Sequence, residues 1–352
     1  MRLLILTVFL LNQSISFAQN EVASDLLNQV VEKNQSVGLS AAYAIDGQIL
    51  WQDAKGLSDQ ADNQSFDLDT KSRVASIAKP MTAVAIMQLM ESGKIELDNT
   101  VAEYLYDFPK KNITVRQVLN HSSGIRGYNN KKEINNHKNY PTLKSVAVIY
   151  IADDLLFEPG SGFKYTSYGY TILRMLIEKI SGQSYEQYLQ QNIWDKLGMT
   201  NTGVEKFGIN FDNKSALYHK NNKGKIKAVK QTNLSDRIPA GGIFSTTPDL
   251  IKFGIGVLDG TLIKKETLLM MQENLGLKKE GNGYGLGWYL YGENPKLGNV
   301  FGHNGAQLGA SCWLMLLEDQ NAVVVVLSNT SGALQETFNV TMGLFGMIGN
   351  QE

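Results

Sequence analysis

Residues 73–93 read Arg73-Val-Ala-Ser76-Ile-Ala-Lys79-Pro-Met-Thr82-Ala-Val-Ala-Ile-Met87-Gln-Leu-Met-Glu-Ser92-Gly93. From Ile77 to Met87 apolar side chains fall on every side of a helical projection, and only Lys79 and Thr82 are polar. A helix that is hydrophobic all round is a buried one. The segment is therefore predicted to be a core helix that opens at Ser76 and runs to about Ser92, where Gly93 stops it. Pro80 is tolerated because first-turn N–H groups have no intrahelical acceptor. Lys79 then projects from buried surroundings, where an unpartnered ammonium is costly and is either paired or deprotonated.

Residues three apart share a helical face, which brings Lys79 to the Ser76 hydroxyl. A lysine of lowered pKa beside a serine at a helix start is a base-activated nucleophile. The serine's own N–H, free at the helix start, can also face a developing oxyanion. The competing reading is a surface lysine beside an N-capping serine. Ser-x-x-Lys also occurs at Ser161–Lys164, but there it lies in a loop behind Pro159-Gly160, where lysine and hydroxyl have no fixed relation.

Outward from this helix, Leu26 to Gln35 reads as a short amphipathic helix, and Gly38 to Ile45 and Gln48 to Ala54 as strands joined by the turn Asp46-Gly47. Helices dominate from Ser76 to about Asp195, clearest at Thr142 to Asp153, Tyr168 to Ile180 and Ser184 to Asp195. A hairpin with the turn Asn221-Asn222-Lys223-Gly224 follows, then helices at Thr247 to Leu258 and Lys265 to Gln272. Strands return at Tyr284 to Tyr291, Val300 to His303, Leu308 to Leu317 and Ala322 to Ser328, with a last helix from about Ala333. Strands at both ends with helices between predict an α+β fold. One sheet is built from the two termini (about 36–75 and 283–352), and a mainly helical subdomain (about 76–282) is inserted into it. No repeat or linker divides residues 19–352 into independent domains.

Of the 352 residues, 33 are Lys or Arg and 34 are Asp or Glu, a net charge of −1. That balance lacks the positive field needed to bind nucleic acid or an anionic membrane surface. The one local basic cluster, Lys220, Lys223, Lys225, Lys227 and Lys230, alternates with Ile226 and Ala228 as the solvated face of a hairpin does, with no aromatic residues to stack bases.

Met1-Arg2, the apolar run Leu3 to Leu11, and small residues at Ser16 and Ala18 have the layout of a secretory signal peptide, residues 1–18. The run is too short to span a bilayer, and so is every later one. The expectation is a secreted or periplasmic protein with no integral membrane segment after cleavage. The single cysteine, Cys312, sits in a strand-like apolar run and reads as packing. The four His residues, at 121, 137, 219 and 303, show no metal-ligand spacing. No Gly-x-Ser-x-Gly elbow, Walker loop or Gly-x-Gly-x-x-Gly occurs either. Neither metal nor cofactor is expected.

A Ser-Lys pair needs a proton relay and a second oxyanion donor. Phe157 to Tyr170 is a Gly-rich loop leading into a helix, which holds Tyr165 and Ser167 at a loop–helix junction. Taken alone, Tyr165 reads as a core aromatic and Ser167 as an N-cap. Phe301-Gly302-His303-Asn304-Gly305-Ala306 precedes a strand-like run, and Gly305 leaves room for a ligand along the strand edge. Taken alone, His303 reads as structural.

In this order, Ser76/Lys79, Tyr165/Ser167 and His303/Gly305 resemble the three motifs of the serine β-lactamase and penicillin-binding-protein superfamily: Ser-x-x-Lys, Tyr-x-Asn, and Lys-Thr-Gly or His-x-Gly. The resemblance is strongest to the class C-like branch and, within it, to the mitochondrial lactamase-like peptidases. Leu119 to Gly124, Ala240 to Asp249 and Gly283 to Trp288 also look like segments of that family.

The resemblance implies a serine hydrolase in which Ser76 is acylated and Tyr165, sharing a proton with Lys79, acts as general base and then acid. It implies that the N–H groups of Ser76 and Ala306 form the oxyanion hole, with Ser167, His303, Asn304 and Gly305 beside the substrate, a small molecule or peptide. His121 reads as structural. Ser167 in place of Asn removes one amide. His303 in place of Lys is largely neutral at pH 7 and holds a substrate carboxylate weakly. These departures rank amide, peptide or ester hydrolysis above class C-type β-lactamase action. A binding or sensor protein without turnover is the rival of another class. The sequence leaves the oligomeric state open.

Overall fold

The computed structural model describes residues 19–110, 112–134, 137–276 and 283–349. The expected signal peptide lies outside them. The strands are β1 (Gly38–Ile45), β2 (Gln48–Asp59), β3 (Gln64–Ser65), β4 (Ser72–Arg73), β5 (Gly203–Val204), β6 (Tyr218–Lys220), β7 (Ile226–Ala228), β8 (Ile243–Ser245), β9 (Tyr289–Asn294), β10 (Gly298–Gln307), β11 (Ala310–Leu317), β12 (Ala322–Ser328) and β13 (Thr330–Ser331). Seven of them form one antiparallel sheet in the order β3-β2-β1-β12-β11-β10-β9. The two chain ends meet where β1 pairs with β12, from Leu39 opposite Ser328 to Ile45 opposite Ala322. This is the α+β arrangement that the strand–helix–strand order implies.

The sheet is covered on both faces. Leu39, Ala41, Tyr43, Val324 and Val326 pack against the helices at 19–32 and Leu334–Ile348. Ala42, Ala44, Val323, Val325 and Leu327 face the larger core built around the Ala78–Glu91 helix. Burial on both sides explains why Ala322 to Leu327 is an unbroken apolar run rather than an alternating one. Asp46 and Gly47 both take positive φ, 50° and 76°, as a tight hairpin turn of matching twist requires.

Several elements differ from expectation. The helix expected over Thr142 to Asp153 is only Leu143–Ala147. After it, Ile149 and Tyr150 bond three residues back, to Val146 and Ala147, which drops Tyr150 into the core. The strand expected from Tyr284 starts at Tyr289. Before it, the chain folds against the helices: a Cβ on Gly285 would lie 2.1 Å from the Met271 carbonyl, and one on Gly287 2.3 Å from Ala83. The Leu26 to Gln35 helix occupies 19–32 instead. The Lys-rich hairpin is present as β6 and β7, although Lys220 is ion-paired to Glu336 at 2.6 Å.

Candidate active site

Ser76 sits in a single 3-10 turn, Ala75–Ile77, and the α-helix proper starts at Ala78. The turn is entered through Ala75 at φ 48°, a left-handed conformation that an alanine adopts at a cost of roughly 1 to 2 kcal/mol. Such strain persists where surrounding structure enforces it. It leaves Ser76 half-exposed while Ala75 and Ile77 are buried.

The helix behind this turn is buried all round, and Lys79 is 0 % exposed. Its Nζ lies 3.2 Å from Ser76 Oγ and 3.5 Å from Ser167 Oγ, and donates to the Ala240 carbonyl at 3.1 Å. All three partners are neutral oxygens. Burial, and secondarily the positive charge of Arg237, hold the amine well below the ordinary lysine range. Thr82, the helix's other polar side chain, bonds the Pro239 carbonyl at 2.7 Å and so fixes the same segment that holds Lys79. Ser161 and Lys164 are both exposed, and Ser161 bonds the Glu158 carbonyl instead.

Tyr165 covers the amine, with Lys79 Nζ 4.6 Å from its ring centroid. Burial and the neighbouring Tyr289 raise its phenol well above the usual value, while a hydrogen bond with Ser76 pulls the other way. Tyr165 is not a plain core aromatic. One side of its ring stacks on Tyr289 at 6.0 Å, and His121 lies 4.4 Å away.

His121, read from the sequence as structural, sits behind the Tyr165 ring with its Nε2 unpaired. It is fully buried, its Nδ1 accepts from Thr166 N–H at 3.3 Å, and its carbonyl accepts from Lys164 N–H. It thereby props the loop that carries Tyr165. The helix Ser167–Ser181 is capped by Thr166, whose hydroxyl accepts from Tyr168 N–H, and not by Ser167. Relieved of capping, Ser167 turns its hydroxyl to Lys79.

At the sheet edge, His303 is buried with both ring nitrogens satisfied: Nδ1 by the Asn304 carbonyl at 2.6 Å and Nε2 by the Tyr284 hydroxyl at 3.1 Å. Burial, and secondarily Lys79, push its pKa down to about 3, so the ring is neutral. Neither nitrogen is left to meet a substrate. Asn304 is half-buried and Ala306 exposed.

Gly305 serves a different purpose from the one expected. A Cβ there would lie 2.4 Å from the Val74 carbonyl and 3.1 Å from Ala75 Cβ, so its missing side chain admits the Ser76 turn rather than a ligand. Cys312, opposite Gly305, is buried, its thiol pKa is raised by burial, and it donates to the Val74 carbonyl at 3.0 Å. It is packing, as its apolar neighbours imply.

Arg237, Ala240 and Tyr284 also belong to this site and were not singled out from the sequence. Ala240 and Tyr284 lie in segments noted for their resemblance, but nothing local marks one carbonyl or one phenol. Ala240 meets Lys79 across 161 positions of chain. Among the described residues no cluster of His, Cys, Asp and Glu is arranged to hold a metal ion, and no helix is long and apolar enough to cross a membrane.

A serine set against a buried lysine with no acidic partner at the start of a core helix, roofed by a tyrosine and bounded by the edge of an antiparallel sheet, defines a serine hydrolase of the β-lactamase and penicillin-binding fold. Residues 23–341 match the family described as Beta-lactamase, and the chain belongs to that family. It is 26% identical over 396 residues to the human serine beta-lactamase-like protein LACTB, mitochondrial, an alignment covering 85% of this chain and 72% of that protein. The octameric penicillin-binding protein homologue from Pyrococcus abyssi superposes with a TM-score of 0.79 at 26% identity, over 92% of this chain and 77% of that one. D-amino acid amidase from Ochrobactrum anthropi superposes with a TM-score of 0.83 at 21% identity, over 94% and 99%.

Proposed function

We propose that this chain is an exported hydrolase that transfers an acyl group from an amide, peptide or ester to Ser76 and then to water. The observation that carries this reading is the contact at 3.2 Å between Ser76 Oγ and an amine with no charged partner. With Lys79 lowered and Tyr165 raised, the amine is the base of the pair and the phenol the group that carries a proton. The neutral amine takes the Ser76 proton as Oγ attacks the carbonyl carbon. The phenol gives its proton to the leaving group and recovers one through Lys79, and water repeats the sequence in reverse. The N–H groups of Ser76 and Ala306 would receive the oxyanion.

The sealed, neutral His303 offers no cation to a substrate carboxylate, which favours substrates uncharged at that position and places β-lactams lower. The name of the D-amino acid amidase points the same way.

The test is a screen of the exported chain, its first residue expected to be Gln19 by mass, against D-amino acid amides, p-nitrophenyl esters and a chromogenic cephalosporin. Amide or ester turnover is expected to fall about 10³-fold or more in Ser76→Ala, with the cephalosporin the poorest substrate. A cephalosporin turned over best would make the protein a β-lactamase. No Ser76-dependent turnover of any substrate would make it a binder.

A further inference from the structure

We infer that Arg73 is a positioning residue for this reaction: its guanidinium locks the turn that carries Ser76 to the β10–β11 hairpin that carries Ala306. The inference rests on the reading of Ser76 and Ala306 as the oxyanion donors. Arg73 lies three residues before Ser76, and Leu308, whose carbonyl accepts from Arg73 Nη1 at 2.9 Å, lies two residues after Ala306. The guanidinium is 3 % exposed and every edge of it is used. Nε and Nη2 meet the two oxygens of Glu205 at 2.7 and 2.9 Å, Nη2 also reaches the Thr232 carbonyl at 3.2 Å, and Nη1 reaches Thr232 Oγ1 at 3.3 Å.

Glu205 is equally buried and accepts from Gln231 at 2.7 Å. Burial raises its carboxyl pKa, but the bonds from Arg73 outweigh that and keep it below the usual carboxylate range, so the pair is charged at neutral pH. Its backbone N–H bonds the Gly242 carbonyl at 2.9 Å, and Val74 N–H bonds the Ile243 carbonyl at 3.1 Å. The clamp therefore grips the segment that fixes Lys79 as well.

Stability alone does not account for this arrangement, because a buried ion pair is often no better than an apolar pair of the same shape. What a planar fork supplies is direction. Direction is needed here: Ala75 is held in a strained conformation, and Val74 touches Gly305 so closely that no Cβ fits between them. A shift of the hairpin by a few tenths of an ångström moves one oxyanion donor relative to the other. Ground-state binding does not sense that shift, whereas the transition state does.

The test uses Arg73→Lys, which keeps the charge and loses the fork, and Glu205→Gln, nearly isosteric, in case the first does not fold by thermal melting. On the best substrate of the screen, kcat of the folded variant is expected to fall roughly 10- to 100-fold with KM within about threefold. The affinity of phenylboronic acid, whose tetrahedral adduct fills the hole, is expected to weaken by the same factor as kcat. A folded variant with kcat within about twofold of wild type, or with raised KM and unchanged kcat and boronate affinity, overturns the inference. Wild-type activity in Ser76→Ala would instead overturn the reading of the site beneath it.

Discussion

His303 shows how burial decides chemistry at a single residue. Its ring is enclosed by Tyr284, Tyr289 and its own chain, which leaves it neutral and pushes its pKa down to about 3. In the unfolded chain the same ring titrates near its ordinary value of about 6.5. Between pH 6.5 and 3 the unfolded state therefore binds one more proton at this site, and stability rises with pH across that window. Acidification from pH 6.5 to 5 is expected to remove about 2 kcal/mol through His303 alone. Urea unfolding of wild type and His303→Gln over this range checks it: the variant should lose about one proton's worth of slope, and equal slopes would show that the ring is not held neutral. The sequence pointed to a neutral ring here through the Lys-to-His departure. It could not show that both nitrogens are satisfied internally, because Tyr284 comes from a segment whose local pattern looks like a strand.

Among the elements, the Ala78–Glu91 helix was the most legible, because its all-round apolarity is a local property of consecutive residues. The turn before it was not. Ser76 was expected to begin the helix, whereas it sits in a 3-10 turn whose shape is imposed from β10 and β11 across the chain. Gly305 is where that imposition is tightest. Gly305→Ala would drive a methyl group into the Val74 carbonyl and the Cys312 sulfur at 2.4 Å each. The neighbours are backbone and a packed side chain, so relief must come from the nucleophile turn, at a cost of about 1 to 3 kcal/mol. Chemical denaturation should show that loss, together with a fall in kcat. Wild-type stability and kcat would mean that the turn and the strand are not in close register.

At the scale of the whole molecule, the strand–helix–strand order showed that both chain ends build one sheet, and the junction of β1 with β12 follows from it. Less legible were the long-range closures that make the site. Lys79 meets Ala240, Arg73 meets Glu205 and Leu308, and Gly287 makes way for Ala83, each joining segments that no periodicity links. All of these closures converge on one arrangement, a buried amine of lowered pKa held against a half-exposed serine. Intact-protein mass after brief treatment with a fluorophosphonate tests that arrangement directly. The expected result is one adduct per chain, absent in Ser76→Ala, retained in Ser161→Ala, and formed about 10² to 10⁴ times more slowly in Lys79→Met at neutral pH. An adduct that survives Ser76→Ala, or a labelling rate indifferent to Lys79→Met, would contradict it.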